Sequence, residues 1–277
     1  MTVTSSFWVS VDPANPGQFF ACCGLLELAD RLWPGAEGWF ASEGTVFHIT
    51  CGPNSLQQLL ASLADARAES VTAFSPSGLA IPEIWRPLRI VFRTTPVAEI
   101  QLDAWVTIAL DKGVAVARPN SPWNFWSGQQ KPFGIWTALQ QEFRRQLMSL
   151  TADKLSDVFA LKLFQEKGRF GFDAGPAWNS LDVGFSPNEQ GIEVESSPAI
   201  ELLAAIGLQR LRPKMNDNRS EFSYQTWDTA VSVEIAAATA AGGFDVGRSR
   251  RFFGTVVQRG QFAALGRARA FSGGELG

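Results

Sequence analysis

A chain of 277 residues with 45% hydrophobic and 18% charged side chains is long enough for one large domain or two small ones, and carries fewer charges than the ~25% of an ordinary globular protein. Three cysteines and one histidine exclude a disulfide framework and leave no Cys/His set for a zinc centre or a repeated acid–base relay, and the net charge is -3. No apolar run reaches the ~20 residues of a membrane span, and residues 1–11 lack a basic start and apolar core, so the sequence predicts a cytoplasmic, unprocessed chain with part of its surface apolar and awaiting a partner.

The alternating Phe7–Val11 reads as a strand. Asn15 then caps a helix that has Pro16 at its first position and Gln18 three residues after the cap. Apart from a narrow polar stripe of Glu27, Asp30 and Arg31, this helix is apolar all round, which requires packing on several sides and makes Cys22 and Cys23 inert core thiols. Gly38–Ala41 and Thr45–Thr50 flank Ser42-Glu43-Gly44 as a hairpin, with His48 on the second strand. Asn54 can cap a second helix, in which Leu56, Leu59, Leu60 and Leu63 recur at helical spacing. Ser70–Pro87, with its prolines, reads as irregular.

Leu88–Thr94 and Glu99–Leu110 read as strands, and Asp111-Lys112-Gly113 as a turn into Val114–Ala117. Arg118–Gly134 is a loop dense in aromatics and amides. Helical patterns follow at Ile135–Leu150 and Leu155–Lys167, then a Gly/Pro/Asn-rich stretch, Phe170–Gln190, containing Trp178 and Phe185. Ser197-Pro198 opens a short helix through Leu211, and strands are expected at Glu221–Trp227, Val231–Ile235 and Phe252–Gln258. Without a βαβ rhythm the fold class is α+β: mixed helices and largely antiparallel strands in one large domain or two closely packed subdomains, divided into residues 1–134 and 135–277.

Charge is unevenly spread. Residues 1–117 hold six Lys and Arg against eleven acidic side chains, whereas Arg248, Arg250, Arg251, Arg259, Arg267 and Arg269 occupy a stretch without a carboxylate. Arginine's planar fork suits phosphates and base edges, so this end reads either as a solvated tail or as a surface facing a polyanion. The Arg118–Gly134 loop admits two readings as well. Trp123, Phe125 and Trp126 could stack on bases while Arg118, Asn120, Asn124, Gln129, Gln130 and Lys131 meet base edges and phosphates. Alternatively the aromatics anchor a core and the amides satisfy loop backbone. Neither a phosphate-cradling glycine motif nor a nucleophile elbow is present, so we expect neither catalysis nor a cofactor.

The opening Val11-Asp12-Pro13-Ala14-Asn15-Pro16-Gly17-Gln18-Phe19-Phe20-Ala21-Cys22-Cys23-Gly24-Leu25-Leu26-Glu27 resembles the start of a family of CRISPR-associated proteins of type I-U, or I-G, systems. Trp126–Gln130, Asp182–Asn188 and Ala199–Arg212 extend the likeness in the same order. The family looks like a small version of the large subunit of the Cascade effector. The resemblance implies a non-enzymatic subunit that touches guide RNA and target DNA, recognises the protospacer-adjacent motif, helps open the duplex, recruits a helicase-nuclease, and contacts the backbone and guide-end subunits but no membrane. A scaffold role within the same complex, touching only protein and RNA, is the alternative.

Overall fold

The computed structural model describes residues 6–41, 43–75, 77–94, 96–120, 123–126, 130–165, 168–174, 194–259 and 262–271, the side chains of 164–165, 194, 258–259 and 262 excepted. Trp178, Phe185 and the Asp182–Asn188 match lie outside the described residues.

The chain opens with β1 (Phe7–Ser10) and α1 (Pro16–Leu32). The Asn15 side chain caps α1 by accepting from Gly17 N at 3.0 Å, while Gln18 turns back to Asp12 N instead of closing a capping box. Then come β2 (Glu37–Phe40), β3 (Val46–Thr50) and α2 (Leu56–Asp65). Ser55, not Asn54, caps α2, exchanging hydrogen bonds with Gln58, while the Asn54 amide donates to Cys51 O. β4 (Arg67–Ser70) leads into the segment read as irregular, whose described residues hold β5 (Ala73–Phe74), β6 (Leu79–Ala80) and a 3-10 turn.

Next are β7 (Leu88–Phe92), β8 (Ala98–Leu102), β9 (Val106–Asp111) and β10 (Val114–Pro119). The expected strand Glu99–Leu110 is thus two strands. Gln209 Oε1 accepts from both Asp103 N and Ala104 N, at 2.8 and 2.9 Å, and pins a bend that buries Trp105 completely. The β9–β10 turn places Lys112 and Gly113 at φ 50° and 81°, the left-handed pair that matches strand twist. α3 (Pro132–Ser149) follows, then a 3-10 helix (Ala152–Ala160) and β11 (Leu163–Gln165) where one helix through Lys167 was expected.

The last third carries β12 (Val194–Ser196), α4 (Pro198–Gly207), β13 (Lys214–Met215), β14 (Glu221–Thr226), β15 (Val231–Ser232), α5 (Val233–Ala240), β16 (Arg250–Arg259), β17 (Phe262–Leu265) and β18 (Arg269–Ala270). The Val231–Ile235 strand stops after two residues, because the alanine-rich run that follows favours helix.

All the strand ladders between these elements are antiparallel. One sheet runs β1-β3-β2-β15, a second β4-β7-β8, and a third β13-β14-β16-β17 with β18 also on β16; β9–β10, β5–β6 and β11–β12 are hairpins or pairs. The fold is α+β. Its late elements reach back to the beginning of the chain: β15 pairs with β2, Trp227 Nε1 donates to Gly38 O at 2.8 Å, and the Tyr224 hydroxyl donates to Pro13 O at 2.7 Å.

The centre is the crossing of α1 and α4. Every residue of α4 is buried, as are thirteen of α1. Gly24 faces the Leu203 carbonyl and Gly207 faces the Phe20 carbonyl closely enough that a Cβ at either would overlap backbone. An aromatic wall closes one side, with Phe19 and Tyr224 centroids 4.4 Å apart and Trp227 edge-on to Phe40 at 5.2 Å. Burial raises the Cys22 and Cys23 thiols well above their usual range, in keeping with inert core side chains. Glu27, on the polar stripe of α1, is 2% exposed and ion-paired with Arg31 at 2.9 Å and Arg210 at 3.2 Å.

A buried polar cluster joins the N-termini of the two central helices. Glu201 Oε2 accepts from Phe170 N and Gly171 N, at 2.9 and 3.0 Å, and its Oε1 from Asp173 N at 2.9 Å. Asp173 accepts from the Asn15 amide and from Ser197 N, both at 2.8 Å, and Asn15 Oδ1 accepts from Ala174 N. Lys162 Nζ stands 3.7 Å from Asp173. Burial pushes the Glu201 carboxyl up to about 7, against the pull of its amide donors and the Arg169 guanidinium. The folded state then holds a proton at pH 5–7 that the unfolded chain has released, so this group's contribution is full below about pH 4.5 and fades as pH rises through 7, by up to about 3 kcal/mol. His48 works in the opposite sense, since burial holds its pKa below 6.5. In a His48→Gln background, urea midpoints should therefore fall from pH 5 to 8; a level or rising profile would show that Glu201 titrates in the ordinary carboxylate range.

Candidate nucleic-acid interface

Three aromatic side chains of the Arg118–Gly134 segment are turned inward, whereas Phe133, in the first turn of α3, is 43% exposed. Trp123, Phe125 and Trp126 are 4%, 2% and 1% exposed. Trp126 packs edge-on to Trp105 and Phe170 at 5.4 and 5.3 Å, and its indole donates to Ile84 O. Trp123 lies against Phe20, and Phe125 against Phe172. Base stacking by these rings is ruled out in this fold, and so is a role for Trp126 as an anchor in a partner's surface. An apolar run broken by turn residues looks the same in sequence whether it points in or out.

The loop's polar residues are dispersed. Arg118 bonds across the β9–β10 hairpin to Asp111 at 2.7 Å. Asn120 Nδ2 donates to Ala104 O at 2.6 Å and its Oδ1 accepts from Arg219, so it pins the bend before β9. Both polar atoms of the Asn124 amide are buried without a partner among the described residues. Lys131 reaches Glu83 at 2.9 Å, and its ammonium holds that carboxyl below its usual range. Gln130 is half-buried, and Gln129 lies outside the described residues.

The C-terminal arginines form a more coherent group. Arg250 and Arg251 open β16, with Arg248 just before them; Arg259 ends it, and its side chain lies outside the described set. Arg250 Nη1 donates to Glu43 O at 2.7 Å. Arg251 Nε donates to Gln225 Oε1 at 2.9 Å, and its Nη2 is 3.8 Å from Asp245. Arg267 meets Asp12 at 2.6 Å. The stretch that lacks acidic residues in sequence thus borrows some from elsewhere in the fold. These pairs are half-exposed, and ion pairs of that kind are worth only ~0–1 kcal/mol, so a phosphate can displace them. Arg248, Arg269 and Lys214 have no carboxylate in ion-pair reach among the described residues.

Lys214, Ser223, Phe253 and Phe271, none of them singled out by the sequence reading, complete this surface. Lys214, Ser223, Phe253 and Arg269 stand directly opposite one another across β13, β14, β16 and β18. Directly opposed residues share a face, and the buried Phe222 and Phe252 mark the other face. Two residues along, Gln225 pairs with Arg251, and Phe271 N donates to Arg251 O. Phe253 and Phe271 are 50% and 38% exposed, with ring centroids 5.7 Å apart and planes tilted by 55°. The alternation Arg251-Phe252-Phe253 was the available signal, because period two puts Arg251 and Phe253 on one side.

Compared with known protein families, curated proteins and solved structures, the chain has no significant match in any of the three. Among the described residues no helix is long and apolar enough to cross a membrane, and no three Cys, His, Asp or Glu side chains are grouped to hold a metal.

Proposed function

We propose that the chain is a non-catalytic, cytoplasmic subunit of a type I CRISPR RNA-guided surveillance complex, in the large-subunit role: protospacer-adjacent motif recognition, opening of target DNA and helicase-nuclease recruitment. The motif resemblance at Val11–Glu27 suggests the family. The observation that carries a nucleic-acid role is the gathering of Lys214, Arg248, Arg250, Arg251 and Arg269 on and beside one sheet, three of them without a carboxylate partner among the described residues. A net charge of -3 sets a counterweight, so affinity for nucleic acid in isolation is weak and falls steeply with salt.

The scaffold alternative has its own support. The β9–β10 hairpin exposes Ile108, Leu110 and Val114 at 50%, 78% and 65%, an apolar arm suited to another subunit. Co-expression with the neighbouring genes tests the proposal. The chain should co-purify with a small RNA of uniform length, and omitting it should abolish binding to targets with the correct flanking motif far more than to motif-less ones. Equal loss on all targets would favour the scaffold; no RNA in the purified material would remove the CRISPR assignment.

A further inference from the structure

We infer that the outward face of the β13-β14-β16-β18 sheet is a stacking platform for unpaired nucleotides, so that its ligand is single-stranded nucleic acid rather than duplex. The inference rests on the proposed nucleic-acid role and names the form of polymer that this surface takes. A duplex hides its base faces and offers phosphates alone, and Arg and Lys suffice to hold it. Exposed rings between cations serve a different ligand, because every unpaired base has an apolar π-face that stacks on an aromatic side chain irrespective of sequence.

The arrangement meets that chemistry at each point. One row across the sheet runs Lys214, Ser223, Phe253, Arg269. At ~4.8 Å between strands the two cations stand roughly 14 Å apart with a ring between them. The second row brings Arg251 and Phe271 alongside, with the buried Gln225 accepting from Arg251. Arg251 borders two open hollows. One, of about 290 Å³, is lined by Lys214, Ser223 and Phe253 among others. The other, of about 640 Å³, is lined by Ser249, Arg250 and Phe271. Volumes of this order hold small-molecule groups the size of a nucleotide.

Water is a poor neighbour for two large rings that stand among Lys214, Ser223, Arg251 and Arg269. Burying Phe252 and Phe222 accounts for the core face; nothing in the core requires Phe253 or Phe271 to be aromatic. Glu221 and Asp245 are the carboxylates on this surface. Glu221 accepts from Asn216, and Asp245 accepts from Gln225 and stands near Arg251. They limit affinity and favour a strand whose bases, not only its phosphates, make contact.

The test uses the full chain alone and three fluorescent probes at low salt: a 15-nucleotide oligothymidine, the same length of abasic strand, and a 15-base-pair duplex. Oligothymidine should bind at least tenfold more tightly than the abasic strand and more tightly than the duplex. Phe253→Ala with Phe271→Ala should remove the preference for bases while leaving the weak abasic binding unchanged; Lys214→Ala with Arg269→Ala should lower binding to all three probes and flatten the salt dependence. Both pairs are surface substitutions, and an unchanged melting temperature checks the fold. Equal affinity of parent and Phe variant for oligothymidine, duplex as the tightest probe, or no binding by the parent would each overturn the inference. Failure to recover guide RNA in the co-expression experiment leaves these outcomes unaffected, so the two readings fail separately.

Discussion

Glu201→Ala is expected to destabilise the protein by more than about 3 kcal/mol and to prevent recovery of folded material at ordinary temperatures. The carboxylate accepts from three backbone N–H groups, on Phe170, Gly171 and Asp173, and is itself fully buried. Each donor left without an acceptor costs about 1–3 kcal/mol, and the truncation adds a cavity beside α4. Glu201→Gln is the informative companion. Its carbonyl can replace one oxygen, but its amide places donors against backbone donors, so it too should lose most of that stability. Urea unfolding of both variants decides the point; midpoints within the error of the parent would show that the 170–173 segment holds itself in place.

Gly24→Ala carries the second large effect. One added methyl on α1 meets the Leu203 carbonyl of α4, and the reciprocal Gly207→Ala meets the Phe20 carbonyl. Backbone cannot swing aside as a side chain can. The two central helices must move apart, opening contacts along their length, and a loss of about 3 kcal/mol or more is expected. Gly134→Ala supplies the control. That glycine sits in α3 with nothing within 4 Å of its would-be Cβ, so the same change should stabilise by about 0.5–1 kcal/mol. Thermal melts of the three variants should therefore differ in sign, and a destabilised Gly134→Ala or a neutral Gly24→Ala would contradict the packing described.

Local signals carried much of the fold. Asn15-Pro16 marked the start of α1, its apolar circumference announced burial, and Asp111-Lys112-Gly113 marked a hairpin. Long-range determinants were invisible. The bend after β8 is held by Gln209, more than a hundred residues downstream, and no property of Asp103 or Ala104 reveals it. Ser55 outcompeted Asn54 as a cap because its hydroxyl could reciprocate with Gln58. At the candidate interface the density of arginine was legible but its partial neutralisation was not, since Asp12 and Asp245 approach from other segments. For the aromatic loop the sequence left base stacking and core anchoring both open, and the tertiary fold decides for the core. Trp123, Phe125 and Trp126 are spaced like a wedge, yet they lie against Phe20, Phe172, Trp105 and Phe170, partners that only the tertiary fold assembles.

The clasp between Trp227 and Gly38 spans 189 positions of chain. At roughly 5–20 residues per second of synthesis, the sheet begun by β1 waits on the order of 10–40 seconds for β15 and the indole that close it. Throughout that interval Phe40 and Phe47 lack their cover on the emerging polypeptide. Ribosome-associated chaperones, more than equilibrium stability, should therefore set the yield of this protein in the cell.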